Sequence, residues 1–152
     1  MKKRIENLNW RDNLFTRQKE YVYWIILILL GGGAVILMRY PTPYGMGLVN
    51  DSVAYIGGAR NILAGHGFSR MVGDGTFEPY THFPPFFSII LASVSLFGID
   101  AIRAARLVVL LLFGANTILI GIILRKLTRN QIASIGGAIF FLISEPILRV
   151  HS

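Results

Sequence analysis

Two stretches of this chain, Tyr21 to Met38 and Leu107 to Leu124, each run for 18 residues without one charged side chain. An α-helix needs about 20 apolar residues to cross roughly 30 Å of hydrocarbon, so each run is close to the length of a membrane span. A third run, Asn130 to Leu148, is broken only by Glu145. In lipid every backbone amide must find its partner within the segment, so the form expected of all three is continuous helix. The wider composition agrees: 53% of the residues are hydrophobic and 15% are charged, against about a quarter charged in an ordinary globular chain.

The net charge of +7 raises the question of a nucleic-acid partner, and its distribution answers it. Lys2, Lys3, Arg4, Arg11, Arg17 and Lys19 precede the first apolar run, and Arg125, Lys126 and Arg129 fill the short connection between the second and third. Basic residues gathered on alternate sides of apolar runs mark the cytoplasmic side of a membrane protein, and no polyanion is needed to explain them. No nucleic acid is expected as a partner. The chain has no cysteine, which excludes disulfides and thiolate metal sites. No small-x-small cleavage pattern follows Met38-Arg39-Tyr40-Pro41, so the first run reads as an anchor that is retained rather than a signal peptide.

The expected organisation is all-α and integral to the membrane. It has a cytoplasmic basic N-terminus (1–20), a first span (21–38), an extracytoplasmic loop (39–106), a second span (107–124), a cytoplasmic turn (125–130) and a third span (131–148). The apolar stretch from Pro84 to Ile99 is short for a crossing. If it crossed, Arg125, Lys126 and Arg129 would lie outside, against the stronger charge signal. It is expected to be a helix (about 85–98) lying on or dipping into the outer interface, opened by Pro84-Pro85 and closed by Gly98. A second juxtamembrane helix is expected over about 52–64. Asn50-Asp51-Ser52 is its N-cap cluster, Ile56, Ala59, Ile62 and Leu63 follow at helical spacing, and Gly65-His66-Gly67 ends it. Arg70 to Tyr80 has no periodicity and reads as irregular loop. Gly31-Gly32-Gly33, inside the first run, suits close helix packing better than phosphate binding, because no strand precedes it.

Four carboxylates lie in the outer loop: Asp51, Asp74, Glu78 and Asp100. Solvated loop acids account for Asp74 and Asp100. Asp51 opens a helix pressed on the bilayer, which poises its carboxylate at headgroup level, although an N-cap explains the same placement. In Glu78-Pro79-Tyr80-Thr81-His82 a carboxylate, a phenol and an imidazole fall within five residues and precede a proline pair, the makings of a polar site. His66 and His82 match no metal-ligand spacing, so no metal ligand is assigned, and a divalent cation has no motif to support it. Glu145-Pro146 near a membrane boundary is a further candidate, equally explained by a snorkelling end residue.

The run from Asn50-Asp51-Ser52 through Arg60-Asn61 to Gly65-His66-Gly67-Phe68-Ser69, followed by Tyr80-Thr81-His82-Phe83-Pro84-Pro85, resembles the start of a GT-C membrane glycosyltransferase. Its mannosyltransferase-like and lipid A arabinosyltransferase-like members are the most similar. Ala104-Ala105-Arg106 and Leu124-Arg125-Lys126-Leu127-Thr128 resemble that family's second helix and cytoplasmic turn. The resemblance covers roughly Asp51 onward. It implies transfer of a sugar from a polyprenyl-phosphate carrier to an acceptor on the extracytoplasmic face, with Asp51 in the position of the general base. Arg60, Arg70 and His82 become the groups available to the leaving phosphate, and Tyr80 a further substrate contact. Glu78 stands in place of a second loop acid, at a longer spacing to the proline pair. Protein, lipid and polysaccharide acceptors are all compatible with it.

Members of that family are several times longer, so the resemblance also implies an N-terminal portion, inactive alone and completed by a missing C-terminal part. The competing reading is a small non-enzymatic multi-pass protein, an accessory or assembly subunit whose outer loop binds a partner. A transporter fragment is disfavoured by the absence of mid-span charge and of proline-broken spans. Immunodetection of the native protein with an antibody to the outer loop separates the first two. A species several times larger than 16.9 kDa is expected for the transferase, and a species at that mass for the accessory protein.

Overall fold

The computed structural model describes the backbone of residues 2–40 and 50–144 and the side chains of 17–40 and 50–144. In chain order the elements are α1 (Lys2–Arg39), α2 (Asn50–Leu63), β1 (Ser69–Met71), β2 (Phe77–Pro79), α3 (Phe86–Ser95), α4 (Ala101–Thr128) and α5 (Gln131–Ile143). They fall into two compact units, one of residues 1–38 with 112–151 and one essentially of residues 39–111.

In the first unit α1 buries one stripe, Tyr23, Leu27, Gly31, Ala34 and Met38, at the spacing of one helix face. Ile25, Ile28, Leu29 and Ile36 point outward, each more than half exposed. A helix apolar on every face does not suit water. Residues Arg17–Arg39 (mean hydropathy 2.3) and Ala101–Thr128 (2.7) are long and apolar enough to cross a membrane, and their most apolar windows are only 28% and 33% buried. At 1.5 Å per residue they extend about 34 and 42 Å. The third expected span is shorter than its run of apolar residues. Helix α5 ends at Ile143, where Ser144 turns extended at ψ 108°, and 13 residues reach only about 20 Å. Residues 145–148, with Glu145 and Pro146, lie outside the described residues.

Small residues set the contact between α1 and α4. A Cβ on Gly114 would sit 2.8 Å from the Gly31 carbonyl oxygen, and one on Gly31 would sit 2.6 Å from Ile118. Gly121 receives Leu27, and Gly137 of α5 receives Leu124, in the same way. Of the three consecutive glycines, Gly31 alone makes such a contact among the described residues; Gly32 and Gly33 meet none of them within 4 Å. Two polar ties cross these helices. Tyr23 and Ser134 hydroxyls are 2.9 Å apart, and Ser134 donates to the Gly121 carbonyl at 2.6 Å. Arg125 donates to both oxygens of the Glu20 carboxylate, which also accepts from Gln131 at 3.2 Å. Asn130 caps α5, its side chain accepting from the amides of Ile132 (2.8 Å) and Ala133 (3.3 Å).

The second unit is built on α2, α3 and the first turns of α4. Ile56, Ala59, Leu91, Ala92, Ala101 and Val108 form its core. Helix α4 begins six residues before its charge-free run, because Asp100 caps it: its carboxylate accepts from the Ile102 amide at 3.0 Å. Lack of charge marks the apolar part of a helix, not its ends. Helix α2 ends in a Schellman motif, with the His66 amide donating to the Asn61 carbonyl (2.8 Å), the Gly65 amide to Ile62 (3.1 Å), and Gly65 at φ 84°. Helix α3, at 10 residues, is about 15 Å long and too short to cross a bilayer.

Arg70 to Tyr80, expected as irregular loop, is instead largely an antiparallel hairpin in which Arg70 faces Glu78. Its strands have three residues each, too few to reveal an alternation. The turn chemistry was present in Gly73-Asp74-Gly75. Gly75 adopts φ 83°, and Asp74 accepts from the Thr76 amide (2.9 Å) and hydroxyl (2.6 Å).

Gly114→Ala is expected to destabilise the first unit by about 1–3 kcal/mol, since backbone blocks the added methyl. Gly32→Ala meets nothing and should be neutral or favourable by up to about 1 kcal/mol through helix propensity. Denaturant unfolding in detergent, followed by circular dichroism, measures both.

Candidate functional site

The second unit brings the loop candidates onto a shared scaffold. Asn61 of α2 donates to the Ser69 carbonyl at 2.7 Å, and the buried Ser69 donates to the His66 carbonyl at 3.0 Å, lashing the hairpin to the end of the helix. His66 stacks on Phe77, ring centroids 3.8 Å apart. A Cβ on Gly58 would fall 2.5 Å from the Phe68 ring, so only glycine lets that ring lie on α2. Tyr80 packs on Phe68 (5.0 Å) and Phe83 (5.7 Å), while Tyr55 meets Phe83 (5.6 Å) and Phe87 (5.5 Å). Ser88, fully buried in α3, donates to the Tyr55 carbonyl at 2.9 Å. These aromatic rings carry the chain from hairpin to α3 across the glycine face of α2.

The polar candidates divide by what they touch. Arg60 pairs with Asp100 at 2.9 Å and Arg70 with Glu78 at 3.1 Å, every partner about half exposed. Such pairs contribute at most about 1 kcal/mol, so either guanidinium can exchange its carboxylate for another anion at little cost. His82 is exposed, its Nδ1 3.0 Å from the Thr81 hydroxyl. Tyr80 is half-buried in the ring cluster. Asp51 is exposed in the first turn of α2 and, among the described residues, has neither a hydrogen bond nor an ion pair. It therefore does not act as the N-cap that its position suggested. Asp51 and Arg60 stand nine positions apart on one helix, about 13 Å along its axis. No hydrogen bond or ion pair joins Asp51 to Tyr80, Glu78 or His82 among the described residues.

Three of the four loop acids thus have structural employment. The Thr76 hydroxyl and amide hold the Asp74 carboxyl below its ordinary range. Arg60, and then the Ile102 amide, do the same for Asp100. Glu78 is held across the hairpin by Arg70. Among the described residues no three His, Asp or Glu side chains gather as metal ligands.

Sequence reasoning overlooked Gly57, Gly58 and Asn61, which seat the hairpin and its rings. The signal was the Gly-Gly pair within an otherwise helical pattern, where a glycine marks close approach. Comparison with protein-family models, with curated proteins and with solved structures returned no match.

A carboxyl whose folded pKa is depressed contributes stability that is complete above its unfolded pKa and lost as pH falls through the folded one. The Asp74 turn and the Asp100 cap should therefore be intact at about pH 5 and loosen only below about pH 4, the ordinary carboxylate value. Amide exchange at Thr76 and Ile102, followed by NMR on acidification, should show protection falling in that window. Loss already at neutral pH would contradict the geometry.

Proposed function

We propose that this chain carries the base-bearing outer loop of a GT-C-type membrane glycosyltransferase, with Asp51 as the general base. One observation carries the proposal: of the four acids in the described loop, Asp51 alone is exposed and unpartnered. A base must accept a proton, and a carboxylate already engaged by an arginine or a turn is poorly placed to do so.

In the proposed reaction the acceptor hydroxyl oxygen bonds to the anomeric carbon, the sugar–phosphate C–O bond breaks with its electron pair going to the polyprenyl phosphate, and Asp51 takes the hydroxyl proton. Arg60 and Arg70 receive the phosphate by exchanging their exposed carboxylate partners, a substitution favoured by bidentate guanidinium–phosphate geometry. His82 supplies a further donor, and Tyr80 and Glu78 line the substrate.

The proposed topology places the loop outside. Arg17 and Lys19 at the head of the α1 span, and Arg125, Lys126 and Arg129 at the tail of α4, belong to one end of the first unit, tied there by Glu20 and Arg125. That clustering supports a cytoplasmic N-terminus in the cell membrane. Helix α3 leaves Phe86 and nearby Leu96 and Phe97 at least 71% exposed, as suits a helix bedded in the outer interface. Helix α5, with the residues that follow it, is proposed as the third crossing.

In the complete protein that the reading implies, Asp51→Asn should lower sugar transfer from a polyprenyl-phosphate donor by about 10²–10⁴-fold while leaving membrane insertion unchanged. Asp74→Asn should stay within about twofold, its turn being remote from proton transfer. Full transfer by Asp51→Asn would sink the enzymatic reading and favour a partner-binding loop. Because the chain lacks cysteine, Thr76→Cys and Thr128→Cys test the topology. An impermeant maleimide should label the first on intact cells, and the second only after permeabilisation.

A further inference from the structure

The first unit holds a cavity of about 480 Å³ lined by Glu20, Tyr23, Trp24, Arg125, Lys126 and Arg129, together with Ile122. That volume lies within the range of roughly 300–1,000 Å³ typical of small-molecule sites. Its charges are unequally employed. Glu20 is engaged by Arg125 and Gln131, and the Arg125 guanidinium lies over the Tyr23 ring, 4.0 Å from its centroid. Lys126 and Arg129 are exposed and, among the described residues, have no ion-pair partner.

The walls therefore carry three cations against one carboxylate. The helix ends do not offset this, because the C-terminus of α4 and the N-terminus of α5 lie either side of Arg129 and Asn130. Their partial charges of about −0.5 and +0.5 cancel. Arg129 also stands at φ 54°, in the left-handed region where a helix normally ends in glycine or asparagine. A strained position held by a long cation points to a use for that cation. Positive-inside sorting accounts for the sign of these residues, but requires neither an aromatic wall nor a strained arginine.

We propose that this cavity binds a phosphate-bearing anion, with Lys126 and Arg129 as its ligands and the Arg125–Tyr23 stack as its floor. Its fitting occupant is the headgroup of an acidic phospholipid. Basic hollows between spans on the cytoplasmic side receive such headgroups, and Trp24, 41% exposed, is the kind of residue found at headgroup level. The inference rests on α1 and α4 being spans, not on the transferase chemistry.

The test uses the full chain with Trp10→Phe, so that Trp24 alone fluoresces, in phosphatidylcholine nanodiscs titrated with dansyl-labelled phosphatidylglycerol. Resistance to carbonate extraction is scored first; a chain washed off the membrane overturns the span reading and the site together. In an inserted chain, energy transfer from Trp24 should saturate. The double variant Lys126→Gln/Arg129→Gln should weaken apparent affinity by about 25-fold, roughly fivefold per basic residue at an acidic surface. Arg17→Gln/Lys19→Gln removes the same charge from the same end of the unit and should change affinity less than the cavity pair. Equal loss in both pairs overturns the site in favour of general surface attraction. Arg129→Gly relieves the backbone while removing the cation, so it should raise Tm yet weaken binding, and unchanged binding by this variant also overturns the site. Competition by inorganic phosphate assigns the site to a soluble phosphate; its failure to compete assigns the site to the lipid headgroup.

Discussion

The Ser134 hydroxyl has one proton and gives it to the Gly121 carbonyl, so the hydroxyl 2.9 Å away on Tyr23 must be the donor to Ser134. This two-step relay joins α1, α4 and α5 in a fully buried place, where a hydroxyl left unpaired would cost about 1–3 kcal/mol. It works only because the helices come close. Gly31 and Gly114 let two backbones touch, and Gly121 accommodates Leu27. Between helices whose outward faces are as apolar as lipid, burial distinguishes little. Small residues and a few hydrogen bonds then decide which faces meet.

A second tie, from Glu20 to Arg125 and Gln131, holds the same three helices one turn nearer the chain's basic end. It spends the one described carboxylate near three cations, which leaves Lys126 and Arg129 unbalanced. The stabilising contact and the unsatisfied charge beside it thus have one origin.

In the second unit, glycine has the complementary use. Gly58 admits the Phe68 ring onto α2, and the run of rings from Phe68 through Tyr80 and Phe83 to Tyr55 fixes the hairpin and the start of α3. Burial of these rings leaves the polar loop residues at the surface. There Arg70 finds Glu78 and Arg60 finds Asp100, while Asp51 is left without a partner among the described residues. Its availability follows from its neighbours having other partners.

Local rules read from residue order held where the physics is local. Gly65 ended α2 and Gly98 at φ 81° followed α3, because each depends on backbone sterics within a few residues. The apolar runs likewise marked the two helices long enough for a membrane, since length and lack of charge are properties of the sequence. The hairpin escaped because three-residue strands show no period. The first turns of α4 escaped because Arg103 and Arg106 interrupt an apolar run without interrupting a helix. No periodicity announces that Glu20 meets Arg125, 105 positions away, or that Gly31 rather than Gly32 meets α4. Nor does it tell which loop carboxylate goes unpartnered. Those are outcomes of packing, in which a side chain's role is set by what reaches it through space. The sequence by itself determined where the apolar helices run and where the charge lies; tertiary structure alone decided which charges cancel and which stand free.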